Sequence, residues 1–189
     1  MIETEHTAEI EADIHAVWDY VKDIRQWATL FPGCRECEVI DDDNSRWVIK
    51  VGAGGLVRTV NVLVHIDEWR GPEQVLFSYK LESDPVEGSG SYTAVAAGDN
   101  QTDISLKVQV QGSGSMAPMW EAVSRPLLPQ LAKTFAERLK AEIEATAQHS
   151  VDAGTAPSAS KPPRLSWWAR FLHWLRGSRH AEPSADENR

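Results

Sequence analysis

The chain has 189 residues, 42% of them hydrophobic and 25% charged, which suits one globular domain with room for an appendage. Its net charge of −9 argues against a nucleic-acid partner, because neutralising phosphates requires a basic face. The charge is uneven: Lys161, Arg164, Arg170, Arg176 and Arg179 give that stretch +5 with no acid, leaving −14 for the remainder. No apolar run approaches the roughly 20 residues of a membrane-spanning helix.

Residues 1–12 hold Glu3, Glu5, Glu9 and Glu11 and no apolar run, so no secretory signal is expected and a cytoplasmic domain is. Ile2, Thr4, His6, Ala8 and Ile10 alternate as a half-buried strand does. Asp13 then suits the cap of a helix whose apolar face is Ile14, Val17, Trp18 and Val21. Asp23 suits the cap of a second short helix, with Gln26 placed to complete a capping box and Trp27, Leu30 and Phe31 on its buried side. Pro32-Gly33 predicts a turn. Cys34 and Cys37 form a Cys-x-x-Cys pair with no second pair and no thioredoxin-like helix after it, so a packing role is expected.

From Cys34 to Gln111 the period is two, broken at 41–45, 52–55, 70–73, 84–88 and 98–100. Five breaks delimit six strands, seven with the first, and the short connections require antiparallel pairing. Each long strand has one apolar face, as in Val60, Val62, Val64 and Ile66. His65 has the opposite parity and is expected to point outward. The sixth strand is rich in Gly, Ser and Ala between Gly88 and Ala97, which predicts a hollow beside it. Asp41-Asp42-Asp43 falls in a turn and is expected to be solvated.

Met116, Trp120, Val123, Leu127, Leu131, Phe135, Leu139 and Ile143 make one stripe along a helix from 116 to 147, roughly 45 Å long. Pro118 fits a first turn, whereas Pro126 and Pro129 predict a bent helix or two abutting ones. A sheet apolar on one face, followed by such a helix, predicts a two-layer α+β domain with the helix across a curled seven-stranded antiparallel sheet. The space between the layers is expected to hold a hydrophobic ligand lined by Trp47, Val62, Phe77, Tyr79, Leu106, Trp120, Val123 and Leu127. Tyr79 and Tyr92 are expected as hydrogen-bond donors, and Arg58, on the apolar parity of its strand, as a buried anchor for a ligand carbonyl or an acidic partner. No triad, phosphate loop, metal-ligand cluster or covalently held cofactor is indicated, and no catalytic residue is assigned.

The composition divides the chain into a domain over 1–148, an Ala/Gly/Ser/Thr/Pro linker over 149–163, an amphipathic helix over 164–177 and a disordered tail over 178–189. On a helical projection Leu165, Trp167, Trp168, Phe171, Leu172, Trp174 and Leu175 take one half, opposite Ser166, Ala169, Arg170, His173 and Arg176. With Arg164, this is the composition of a helix lying in a membrane interface. Docking on its own domain or on a partner protein is the alternative.

The order strand, two short helices, six-stranded run and long helix resembles the START-like, or SRPBCC, superfamily of helix-grip proteins over residues 1 to about 148. Phe31-Pro32-Gly33-Cys34 with Glu38, Lys50-Val51-Gly52, Gly88-Ser89-Gly90-Ser91 and Thr102 look most like the carbon monoxide dehydrogenase G-subunit family within it. The superfamily resemblance implies binding of lipids, sterols, polyketides or quinones between sheet and helix. The narrower resemblance implies a quinone- or lipid-like ligand delivered between the cytoplasmic face of the inner membrane and a redox-enzyme partner. Because related folds include polyketide cyclases and dehydratases, an enzyme acting on an apolar substrate in the same cavity is the alternative. It needs an acid or base there, and none is placed by parity.

Overall fold

Strand β1 (Ile2–Ile10) alternates half-buried and exposed residues along its length, as its sequence does. The structure, a computed structural model, describes residues 1–53 and 56–154. Asp13 caps α1 (Ile14–Val21) by accepting from the His15 amide, and Asp23 caps α2 (Ile24–Leu30) by accepting from the Arg25 amide. The capping box expected of Gln26 does not form. The Asp23 amide donates to the Tyr20 carbonyl instead, because α1 ends so close to α2.

The six later strands are β2 (Cys34–Val39), β3 (Asn44–Ala53), β4 (Leu56–Arg70), β5 (Gln74–Leu81), β6 (Val86–Gly98) and β7 (Gln101–Gly112). They form one antiparallel sheet with β1, in the order β1-β7-β6-β5-β4-β3-β2. Hairpins join β2 through β7 in succession, and β1 closes on β7 because the two short helices carry the chain across to the far edge. Gly33 makes that re-entry possible. Its φ is +84°, and a Cβ there would stand 2.2 Å from the Lys50 carbonyl oxygen.

A 3-10 turn at Gly114–Met116 leads into α3 (Ala117–Gly154), which packs on β1 and β7 and touches α1 and α2. Of the two outcomes expected at Pro126 and Pro129, a pair of abutting helices is absent, since α3 is one unbroken helix through both. Both prolines, and Ala122 and Arg125 whose carbonyls they leave unbonded within the helix, are exposed, so water can take the bonds the rings remove. Residues 149–154, expected as linker, are helical. Met1–Gly154 is one compact unit; the rest of the linker, the 164–177 segment and the 178–189 tail lie outside the described residues.

The two halves of α3 differ in what they bury. Ala132, Phe135, Ala136, Leu139 and Ile143 are buried against the sheet, while Trp120, Val123, Leu127, Leu128 and Leu131 remain partly accessible. The helix therefore meets the sheet at one end and stands off it at the other.

Candidate functional site

Where α3 stands off the sheet there is a cavity of about 200 Å³. Its walls are Trp47, Ile49 and Val51 of β3, Val60, Val62 and Val64 of β4, Phe77, Tyr79 and Leu81 of β5, Val86 of β6, Leu106, Val108 and Val110 of β7, and Trp120 to Phe135 of α3. Strand alternation explains this set, because residues two apart on each strand share the inner face.

Trp27 of α2 and Phe31, which caps its C-terminus, close the inner end. Trp27 meets Phe77 and Phe135 edge to face at centroid distances of 5.8 and 6.0 Å, and Phe31 meets Trp47 at 5.8 Å. Such pairs contribute about 0.5–1.5 kcal/mol each beyond area burial, so the floor is rigid. The polar atoms of these rings are already committed. Trp27 Nε1 donates to the Val21 carbonyl, Trp47 Nε1 to Ser45 Oγ, and the Tyr79 hydroxyl to the Gln109 carbonyl at 2.7 Å. Burial pushes the Tyr79 pKa well above the usual tyrosine value, so that hydroxyl stays protonated.

At the other end Arg58 of β4 joins the β5–β6 connection to the start of α3: Nη2 lies 2.9 Å from Asp84 Oδ2 in an ion pair, and the guanidinium carbon lies 5.7 Å from the Trp120 ring centre. The expected burial of Arg58 is corrected here. Its side chain is 46% exposed, because position 58 lies near the end of its strand, beyond the layer that α3 covers. The same end exposes Val57, Met116 and Met119.

Of the other residues expected at the site, Trp47, Val62, Phe77, Tyr79, Leu106, Trp120, Val123 and Leu127 all meet at the cavity. Tyr92 does not line it and is fully buried behind it. The hollow expected along β6 is also corrected. The Phe77 and Tyr79 rings fill the space over Gly90 and Gly88, where an added Cβ would approach either ring to 2.4 Å. Trp27 and Phe31 were legible as buried but not as part of the cavity, since that depends on how α2 folds back.

His65 is exposed, as its parity predicts, and its Nδ1 lies 2.9 Å from Asn44 Oδ1. It belongs to a polar depression of about 640 Å³ on the outer face of the sheet, with Asp41, Lys80, Glu87 and Gln109. Cys34 and Cys37 share a face because a register shift lies between Cys34 and Glu36, and burial raises both thiol pKa values. Among the described residues no group of His, Cys, Asp and Glu could hold a metal ion, and no helix is long and apolar enough to cross a membrane.

The fold recurs in solved structures. A conserved protein from Geobacillus kaustophilus is 15% identical at a TM-score of 0.65, covering 77% of this chain and 97% of its own. A START superfamily protein from Mycobacterium smegmatis is 14% identical at 0.56, covering 78% and 97%. The Zhui aromatase/cyclase from Streptomyces sp. R1128 is 17% identical at 0.55, covering 82% and 99%. No curated protein sequence matches. The profile of the family described as polyketide cyclase / dehydrase and lipid transport matches residues 1–144, and the chain belongs to that family.

Proposed function

We propose that the domain binds a hydrophobic small molecule in the cavity between sheet and α3 and releases it unchanged. The observation that carries this is the lining: of the described residues that form it, none is an acid, a base, a histidine or a cysteine. Its hydroxyls are those of Tyr79, which is engaged and protonated, and Ser124. General acid–base chemistry at neutral pH needs a group that titrates near it. The volume limits what is enclosed. An apolar cavity of roughly 150 Å³ takes one benzene, so about 200 Å³ takes a ring or a short chain, with any longer tail passing the mouth.

The resemblance to the carbon monoxide dehydrogenase G-subunit family extends the reading to a quinone- or lipid-like ligand carried between the inner membrane and a molybdenum hydroxylase of the carbon monoxide dehydrogenase type. Met116 and Met119, exposed where the chain enters α3 next to the lining residue Trp120, support transfer from an apolar surface. The 164–177 segment supports peripheral attachment on the cytoplasmic side by its composition. The aromatase/cyclase among the similar structures favours a second reading, conversion of an apolar substrate in the same cavity.

Native mass spectrometry of the full chain, followed by solvent extraction, tests the proposal. A bound apolar molecule, recovered unchanged after incubation and lost in Val123→Phe, is expected. Turnover of a polyketide or quinone panel that disappears in Tyr79→Phe establishes the cyclase reading instead. Absence of binding across lipid, quinone and aromatic panels overturns both.

A further inference from the structure

Tyr92 stands on the inner face of β6, opposite Val75 of β5 and Leu106 of β7. It is 1% exposed, and its hydroxyl is the one buried side-chain polar atom without a hydrogen-bond partner among the described residues. The contrast with its neighbours is sharp: Trp27, Trp47 and Tyr79 each donate to a protein oxygen, so the fold meets the polar needs of every other aromatic residue around the floor that has a donor. A buried hydroxyl left alone is costly, and such groups mark places where something else supplies the partner.

Two residues of the cavity lining are neighbours of Tyr92. Leu106 lines the cavity and is its direct partner across the sheet. Trp27 also lines the cavity, and its ring centre is 6.4 Å from that of Tyr92. Trp27 is tied through Nε1 to the Val21 carbonyl, whereas Leu106 is a buried aliphatic side chain with no hydrogen bond to break, so a rotamer change at Leu106 is the smaller rearrangement that would open a way to Tyr92.

We infer that the cavity is built for a one- or two-ring apolar ligand carrying a carbonyl or ether oxygen, and that Tyr92 reads this oxygen by donating a hydrogen bond to it once Leu106 swings aside. This rests on the reading of the cavity as a binding site. The ligand's polar atom then lies deepest, at the floor, and its apolar remainder runs out along Val62, Val108 and Leu127 toward Arg58. Burial raises the Tyr92 pKa well above the ordinary value, so the hydroxyl is a donor at neutral pH.

The test compares 1-indanone with indane, one skeleton with and without a carbonyl, by amide NMR titration of the full chain and of Tyr92→Phe. The ratio of the two dissociation constants is the readout, because it cancels changes in cavity shape common to both. In Tyr92→Phe the ratio of the indanone Kd to the indane Kd should rise about tenfold, with indane binding unchanged and melting temperature at or above the parent's. An unchanged ratio overturns the assignment of Tyr92 while leaving the cavity a binding site. Failure of both compounds to shift the lining amides of the parent chain overturns the cavity reading itself, and this inference with it.

Discussion

Gly88 lies under the ring of Tyr79: a Cβ on Gly88 would stand 2.4 Å from Tyr79 Cζ and 2.2 Å from the Gln109 carbonyl oxygen, the same oxygen that accepts the tyrosine's hydrogen bond. The ring reaches its acceptor only across a residue with no side chain. Gly88→Ala should therefore destabilise the domain by about 2 kcal/mol, the usual cost of overpacking, and impair ligand binding by displacing Tyr79. Gly98→Ala, whose Cβ would find its nearest neighbour at 3.8 Å, is the control and should be near neutral. Equilibrium urea unfolding of both variants decides the matter; equal stability would mean the Tyr79 contact is not tight.

Arg58 ties Trp120, a cavity-lining residue, to Asp84 of the β5–β6 connection. Arg58→Gln breaks both the Asp84 ion pair and the stacking on Trp120, yet the pair is partly solvated, so stability should fall by no more than about 1 kcal/mol. Exchange should respond more. Release of a bound aromatic probe, followed by NMR lineshape or stopped-flow displacement, is expected to quicken several-fold, with Asp84→Asn acting in the same direction. Unchanged release in both variants would place the access route elsewhere.

Alkaline pH gives an independent check on the two buried tyrosines. Burial raises the pKa of Tyr79 and Tyr92 above the ordinary 10.0, so in the folded protein they keep protons that the unfolded chain loses. Stability from this source is complete below pH 10 and declines as pH rises beyond it, toward the raised folded values. Each tyrosine adds about 1.4 kcal/mol per pH unit to that decline. Tyr92→Phe should lessen the fall in unfolding free energy between pH 10 and 11 by about 1 kcal/mol, because the unfolded tyrosine is only half ionised at pH 10, and absorbance at 295 nm should show tyrosinate appearing with unfolding. Parallel slopes would show that the hydroxyl is solvated.

The 164–177 segment lies outside the described residues, so its membrane role is tested directly. Removal of residues 161–189 should leave a folded, ligand-competent domain, because Met1–Gly154 is one compact unit. Sedimentation with anionic liposomes should fall at least tenfold, and Trp168, Phe171 and Leu172 to Ser should do nearly the same. Arg170 and Arg176 to Gln should weaken binding mainly at low salt, since screening removes that contribution. Failure of the full chain to sediment favours docking of the segment on a protein.

Strand periodicity settled which face of β3, β4, β5 and β7 turns inward, because side chains alternate by geometry whatever lies opposite; hence Trp47, Val62, Phe77 and Leu106 were legible, as was the outward turn of His65. The caps at Asp13 and Asp23 were legible for the same local reason. What depends on distant partners was not. Period alone assigns Arg58 and Tyr92 to the inner face, but exposure at 58 and full burial at 92 follow from where α3 and α2 cover the sheet. Glycines at 88 and 90 signal missing side chains, yet only register shows that Tyr79 and Phe77 take the space. The prolines of α3 continue the helix rather than break it because tertiary packing turns them to water. Local chemistry fixes direction along the chain, whereas occupancy of space is a property of pairs far apart in sequence, and only the folded arrangement brings those pairs together.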